Sequence, residues 1–176
     1  GESLFTMKKL AQTAKGRIKI GFNASTYLAE QGVGKIRDVL DSTNIFVLNK
    51  EEAELLIGKG DIENMLIRIR KTGPKIVCIT DGKHGSYTFD GRMMYSQKPH
   101  SNIKVIEKTG AGDAYAATLV AGLMKGRNIE ERMQLALTNA ESVIRYKGAK
   151  NILLSWNKLN ELTGKHRILV KKRIIA

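Results

Sequence analysis

Residues 107–126 read Glu-Lys-Thr-Gly-Ala-Gly-Asp-Ala-Tyr-Ala-Ala-Thr-Leu-Val-Ala-Gly-Leu-Met-Lys-Gly and hold the chain's main concentration of potential chemistry. Gly110, Ala111 and Gly112 open onto an apolar, helix-forming stretch, and one carboxylate, Asp113, stands at the junction. The first N–H groups of a helix have no intrahelical partner, and the macrodipole leaves that end positive. With almost no side chains in the way, a phosphate can approach those groups closely. A carboxylate works against phosphate binding unless it handles a proton or a metal. The combination suggests phosphoryl transfer to a hydroxyl. A plainer explanation covers the same residues, because Asp is a favoured helix cap and Gly-Ala-Gly can be a tight turn into a buried helix. Two other glycine motifs are excluded. The dinucleotide fingerprint needs Gly or Ala where Tyr115 stands, and the P-loop pattern fails around Gly34-Lys35, where Ala29 and Ile36 replace its first Gly and its hydroxyl residue.

Length and composition set the frame for that chemistry. With 176 residues, 42% hydrophobic and 27% charged, the chain is expected to make one α/β domain over residues 1–176 with a proper core. No apolar run approaches the ~18 residues of a membrane span, and no signal-peptide pattern opens the chain. The lone cysteine, Cys78, lies in the apolar run Ile76-Val77-Cys78-Ile79. No internal disulfide is possible, so Cys78 reads as a small core residue and a cytoplasmic location is expected. His84, His100 and His166 are isolated, without metal-ligand spacing.

The formal net charge is +13, which raises the local concentration of polyanions. The basic residues are scattered, apart from the end running from Lys165-His166-Arg167 to Lys171-Lys172-Arg173. Aromatic residues make up only 6% and do not interleave with them, so a stacking platform for nucleic acid is unsupported. The charge reads as a solvated surface.

The pattern predicts a helix over Leu4–Ala14, a strand over Arg17–Phe22, a helix over Val33–Leu40 and a buried strand over Ile45–Leu48. Helices follow over Glu51–Ile57, ended by Gly58, and from a cap at Asp61 to Thr72. A further strand is expected over Ile76–Thr80. Apolar runs without polar alternation, separated by amphipathic helices, indicate a parallel sheet covered on both faces. Asp90-Gly91, between Ser86–Phe89 and Arg92–Ser96, is a hairpin signal. A strand over Ile103–Ile106 then leads into the glycine turn, a buried helix runs from Asp113 to Met124, and another from Glu130 to Arg145. A short helix around Trp156–Leu162 and a strand over Arg167–Ile174 complete the chain.

From about Leu4 to Leu162, these segments resemble a ribokinase/PfkB-family carbohydrate kinase. Thr109-Gly-Ala-Gly-Asp113-Ala-Tyr-Ala-Ala is similar to that family's second signature. Asn49-Lys50-Glu51-Glu52 resembles its Asn-x-x-Glu segment, and Thr80-Asp81-Gly82-Lys83-His84-Gly85 resembles its Gly-x-x-Gly turn before a hairpin. Phe22-Asn23-Ala24-Ser25 sits where members have a strand end with an Asn-Pro or Asp-Pro turn. The resemblance implies a ribokinase-like three-layer α/β/α fold with a mostly parallel sheet and a β-hairpin near the nucleotide site. It also implies ATP-dependent phosphoryl transfer to a sugar or related alcohol, with ATP and Mg²⁺ required.

On that resemblance Asp113 is the catalytic base, and the N–H groups of Gly110, Ala111 and Gly112 form the anion hole. A helix N-terminus favours the ionised form of such a base, and positioning with charge stabilisation carries most of the catalysis. Asn49 and Glu52 are expected to organise Mg²⁺ and its waters. Thr80, Gly82 and Gly85 are expected to border the nucleotide, and Asn139 lies on the helix that passes the adenine ring. Each has a plainer reading: Glu52 as a first-turn glutamate, Gly82 and Gly85 as an ordinary turn, Asn139 as a solvent-facing residue. Glu107 and Lys108 depart from the family's Asp-Thr, which puts a monovalent-cation site at that loop in doubt. Members also carry an N-terminal portion with the lid strands and most sugar contacts. The chain therefore reads as the C-terminal fragment, with a homodimer or association with the absent part as expected partners. The alternative is a non-catalytic nucleotide-binding or regulatory module of the same fold.

Overall fold

Short apolar runs with no polar alternation are stable as strands only when both faces are covered. In the computed structural model, which describes residues 2–175, two such runs form β2 (Ile45–Asn49) and β3 (Ile76–Thr80). The shorter β1 (Gly21–Asn23) joins them, and all three are parallel. β4 (Ser86–Phe89) pairs antiparallel with β3, and β5 (Met93–Gln97) and β6 (Lys171–Ile174) complete a six-stranded sheet in the order β1-β2-β3-β4-β5-β6. The α/β class is as expected, in a mixed sheet whose first three strands are parallel. Asp90 shapes the β4–β5 hairpin by accepting the N–H groups of Arg92 and Met93 on Oδ1, at 2.9 and 2.7 Å.

The chain divides into two compact units. The sheet unit takes residues up to 81, 86–94 and from 172 onward; the helical unit takes 82–85 and 95–171. In the sheet unit lie α1 (Glu2–Ala14), α2 (Thr26–Glu30), α3 (Gly32–Leu40), α4 (Lys50–Ile57) and α5 (Ile62–Arg70). The caps explain where these start and stop. Asp61 accepts the Asn64 N–H to begin α5, and Gly58, at φ 84°, ends α4. Each helix turns a narrow stripe inward: Ile36, Val39 and Leu40 from α3; Met65, Leu66 and Ile69 from α5. They meet Phe22, Phe46, Leu48, Val77 and Ile79 from the strands, with Phe22 and Phe46 stacked at 5.1 Å between ring centroids. Cys78 is buried in β3, the core role its apolar neighbours indicated.

The helical unit contains α6 (Ala111–Met124), α7 (Ile129–Val143) and α8 (Trp156–Lys165). α6 and α7 lie side by side, with Gly122 so close to Arg132 that a Cβ at 122 would come within 2.8 Å of its Cγ. Asn128 and Glu131 form a reciprocal capping box at the start of α7. No helix among the described residues is long and apolar enough to cross a membrane.

Three expected strands change. Arg17–Phe22 is a strand only from Gly21, although the Ile20 carbonyl already accepts the Ile45 N–H, because Arg17 and Ile18 instead donate to the Ala14 carbonyl at the end of α1. Ile103–Ile106 is no strand: Ile106 and Glu107 donate their N–H groups to the Ile144 carbonyl at the end of α7. Only Lys171–Ile174 of the final run joins the sheet. The five-residue α2 is too short to leave a periodic signal. Replacing Phe46, fully buried and stacked, tests the core directly: Phe46→Ala should cost about 3–5 kcal/mol in chemical denaturation.

Candidate functional site

The helical unit carries the glycine turn. Gly110 is the N-cap of α6 and sits in the left-handed region, at φ 84° and ψ −9°. A Cβ there would stand 2.0 Å from the Ala149 carbonyl oxygen. Backbone conformation and lack of space both require glycine at this position. The Gly110 carbonyl accepts the first helical bond, from the Ala114 N–H at 2.9 Å. The Ala111 N–H donates to the Lys108 carbonyl at 3.2 Å, so it is already engaged before any anion arrives. Gly112 differs from Gly110, since a Cβ on Gly112 would meet nothing within 4 Å. Packing does not require glycine there; the space in front of it is open to a ligand. Asp113, the third residue of the helix, is exposed. The first turn thus presents a small-residue, N–H-rich surface with one accessible carboxylate.

A second turn braces this one. Gly148 donates its N–H to Glu107 Oε2 at 2.9 Å, and Glu107 also hydrogen-bonds the Thr109 hydroxyl. These bonds hold the Glu107 carboxyl below the usual carboxylate range, the Gly148 N–H contributing most. Farther along, Leu154 donates its N–H to Asn139 Oδ1 (3.1 Å), and Asn139 Nδ2 donates to Thr118 Oγ1 (2.8 Å). Thr118 in turn donates to the carbonyl of Ala114, in the first turn of α6 (2.7 Å). Asn139 is therefore buried rather than solvent-facing, and its amide ties α7 to α6 and to the segment before α8. That segment also carries Ile152 at φ 85°, uncommon for a β-branched residue, with its carbonyl accepting the Ser142 hydroxyl. Sequence reasoning missed the bracing role of Glu107 and the segment 148–154; Gly148 just past α7 was the one local signal of a special turn.

The sheet unit holds the other group. Asn49 ends β2 and is in register with Thr80, the last residue of β3, so both stand at carboxyl ends of parallel strands. Ligands of open α/β sheets characteristically bind outside such ends. Asn49 also caps α4: its Oδ1 accepts the Glu52 N–H, and Glu52 Oε2 accepts the Asn49 N–H, both at 2.8 Å. Glu52 is buried. Beside them, Lys50 and Asp81 pair at 3.8 Å. The described residues contain no cluster of three or more His, Cys, Asp or Glu able to hold a metal. The oxygen donors of Asn49 and Glu52 suit a hard cation that keeps most of its waters, as Mg²⁺ does beside phosphates.

The turn before β4 divides its glycines by the same criterion. Gly85, at φ 113°, would place a Cβ 2.0 Å from the Gln97 carbonyl oxygen, so the fold requires it. Gly82 starts a 3-10 turn at φ 48°, and a Cβ there would meet nothing within 4 Å. Within the units, the structure thus groups Gly110–Asp113 with the bracing Asn139 and Glu107, and separately Asn49, Glu52 and Thr80.

Two outcomes separate structural from ligand-facing residues. Gly110→Ala should destabilise the protein by about 2 kcal/mol or more, whereas Gly112→Ala should leave it unchanged or slightly more stable, as measured by thermal unfolding. Asn49→Ala should cost about 1 kcal/mol through the lost cap, with or without Mg²⁺ in the buffer.

Residues 2–156 match the family model described as pfkB family carbohydrate kinase. An uncharacterized sugar kinase of Archaeoglobus fulgidus is 32% identical over 149 residues, which cover 85% of this chain and 58% of that protein. A cytidine kinase of Thermococcus kodakarensis is 29% identical over 142 residues, 78% of this chain and 50% of its own length. The solved structure of Arabidopsis thaliana ribokinase with ribose and ATP matches at a TM-score of 0.80 and 22% identity, covering 90% of this chain and 52% of that one. That likeness shows the ribokinase-like α/β fold. The chain spans about half the length of the curated relatives it matches. With the family model covering most of its length, the chain belongs to the pfkB family of carbohydrate kinases.

Proposed function

We propose that this chain forms the nucleotide-binding and catalytic-base portion of an ATP-dependent kinase acting on a hydroxyl of a sugar, nucleoside or related small alcohol. The observation that carries this reading is the first turn of α6. There a glycine fixed by the fold is followed by a glycine facing open space and then by an exposed carboxylate. A helix start of this kind is suited to an oxyanion, and the carboxylate gives it a proton acceptor.

Asp113 takes the proton of the acceptor hydroxyl as its oxygen attacks the γ-phosphorus. The new O–P bond forms while the bond to the β,γ-bridging oxygen breaks, and ADP leaves. The N–H groups at the start of α6 face the charge that develops on the transferred phosphoryl, with Gly112 leaving room for it. Mg²⁺ accompanying the nucleotide would supply positive charge to the phosphates, and Asn49 and Glu52 would hold its waters. Thr80, Gly82 and Gly85 border the nucleotide, Gly82 through the open space at its Cα. Asn139 acts from behind, by holding the segment that carries Ile152 and Leu153. Those two side chains, with Val105 and Ile106, are about half exposed and offer apolar surface to a nucleotide base.

The test is ADP formation by the protein carrying this chain, measured against sugars, sugar phosphates and nucleosides. Asp113→Asn should lower kcat by about 10²–10⁴-fold with Mg·ATP binding retained. Gly112→Val should fold normally and lose Mg·ATP affinity. Unchanged turnover in Asp113→Asn would remove Asp113 from the chemistry. Mg·ATP binding without turnover of any acceptor would instead favour a non-catalytic nucleotide-binding module.

A further inference from the structure

We infer that Glu107 is a positioning residue for the anion-binding turn, its carboxylate clasping the Gly148–Ala149 turn against Gly110 and so setting the direction of the N–H groups that open α6. The inference rests on the reading of that turn as the phosphoryl site. Several contacts support it. Glu107 Oε2 accepts the Gly148 N–H at 2.9 Å. One residue on, the Ala149 carbonyl oxygen lies where a Cβ of Gly110 would be, 2.0 Å away. The backbone beneath is pinned as well, with the Ile106 and Glu107 N–H groups both on the Ile144 carbonyl, at 2.8 and 3.3 Å. The same carboxylate accepts from Thr109, immediately before Gly110. Glu107 therefore holds the glycine turn from its own strand of chain and from the opposing one.

Left-handed Gly110 has no side chain to lock its conformation, and glycine is the residue with most backbone freedom to lose. Without the Gly148 bond, the Ala149 carbonyl is free to withdraw and Gly110 to relax. The charged side chains flanking the clasp are Lys108 on the loop and Arg145, Lys147 and Lys150 on the turn, all exposed. Hydrogen bonds, rather than these charges, favour the ionised carboxyl. A depressed carboxyl keeps its partners at neutral pH and through the ordinary carboxylate range, and gives them up only as pH falls through its own lower value.

The test compares Glu107→Gln and Glu107→Ala in the ¹⁵N-labelled chain at neutral pH. Gln keeps an acceptor of the same length; Ala removes it. Glu107→Ala should speed exchange of the Gly148 amide about tenfold, displace the Gly110 and Gly112 amide resonances, and weaken Mg·ATP binding. Glu107→Gln should restore most of each. The inference is overturned if Glu107→Ala leaves the Gly110 and Gly112 resonances at their wild-type positions, or if Gln rescues no better than Ala. Should the wild-type chain bind no Mg·ATP, the kinase reading falls. The clasp is then still decided by Gly148 exchange and the two glycine resonances.

Discussion

One steric constraint organises the helical unit: at Gly110 there is no room for a side chain. The Ala149 carbonyl occupies the place of a Cβ, and the left-handed φ rules out most other residues in any case. Because the turn is that tight, α6 can begin abruptly: its Ala111 N–H is taken by the Lys108 carbonyl, and open space lies in front of Gly112. The direction of α6 then determines what α7 must be. Small residues, Gly122 above all, let the two helices approach, and the polar relay from Leu154 through Asn139 and Thr118 to Ala114 secures the first turn from inside. A buried amide is costly unless its groups are used, and here both ends are hydrogen-bonded.

In the sheet unit the corresponding economy is double use. Asn49, at the end of β2, and Glu52, in the first turn of α4, satisfy orphan N–H groups at the start of that helix, and the proposed reading also gives their oxygens to a hydrated cation. The two roles are compatible because a carboxylate has two oxygens and several lone pairs. A cap also fixes a rotamer, so a side chain committed to one is held in a single orientation.

Much of this arrangement was legible in the sequence, wherever the governing interaction is local. β2 and β3 follow from continuous apolar runs, the start of α5 from Asp61, the hairpin from Asp90-Gly91, and α6 from its apolar stretch, although the helix begins at Ala111, two residues before the expected Asp113. The family resemblance singled out Asp113, Asn49 and Glu52 through short contiguous motifs, and the structure sets the first in the opening turn of α6 and the other two in the cap of α4. What stayed hidden depends on distant partners. Glu107 meets Gly148 across 41 residues and Asn139 meets Thr118 across 21, and no local pattern announces either bond. The failed strand at Ile103–Ile106 belongs to the same class. Its composition suits a strand, yet its N–H partner is the end of a helix, a choice made by tertiary structure alone.

Ile152 places stability and recognition in opposition. A β-branched residue held at positive φ costs free energy that a glycine would release, yet glycine would also erase the half-exposed apolar face this segment presents. The hydrogen bonds from Ser142 and Leu154 hold the segment in that conformation. Selection for thermal tolerance alone would therefore tend to discard this side chain, so if the nucleotide base rests on it as proposed, hardening the protein and preserving its selectivity pull on one position in contrary directions.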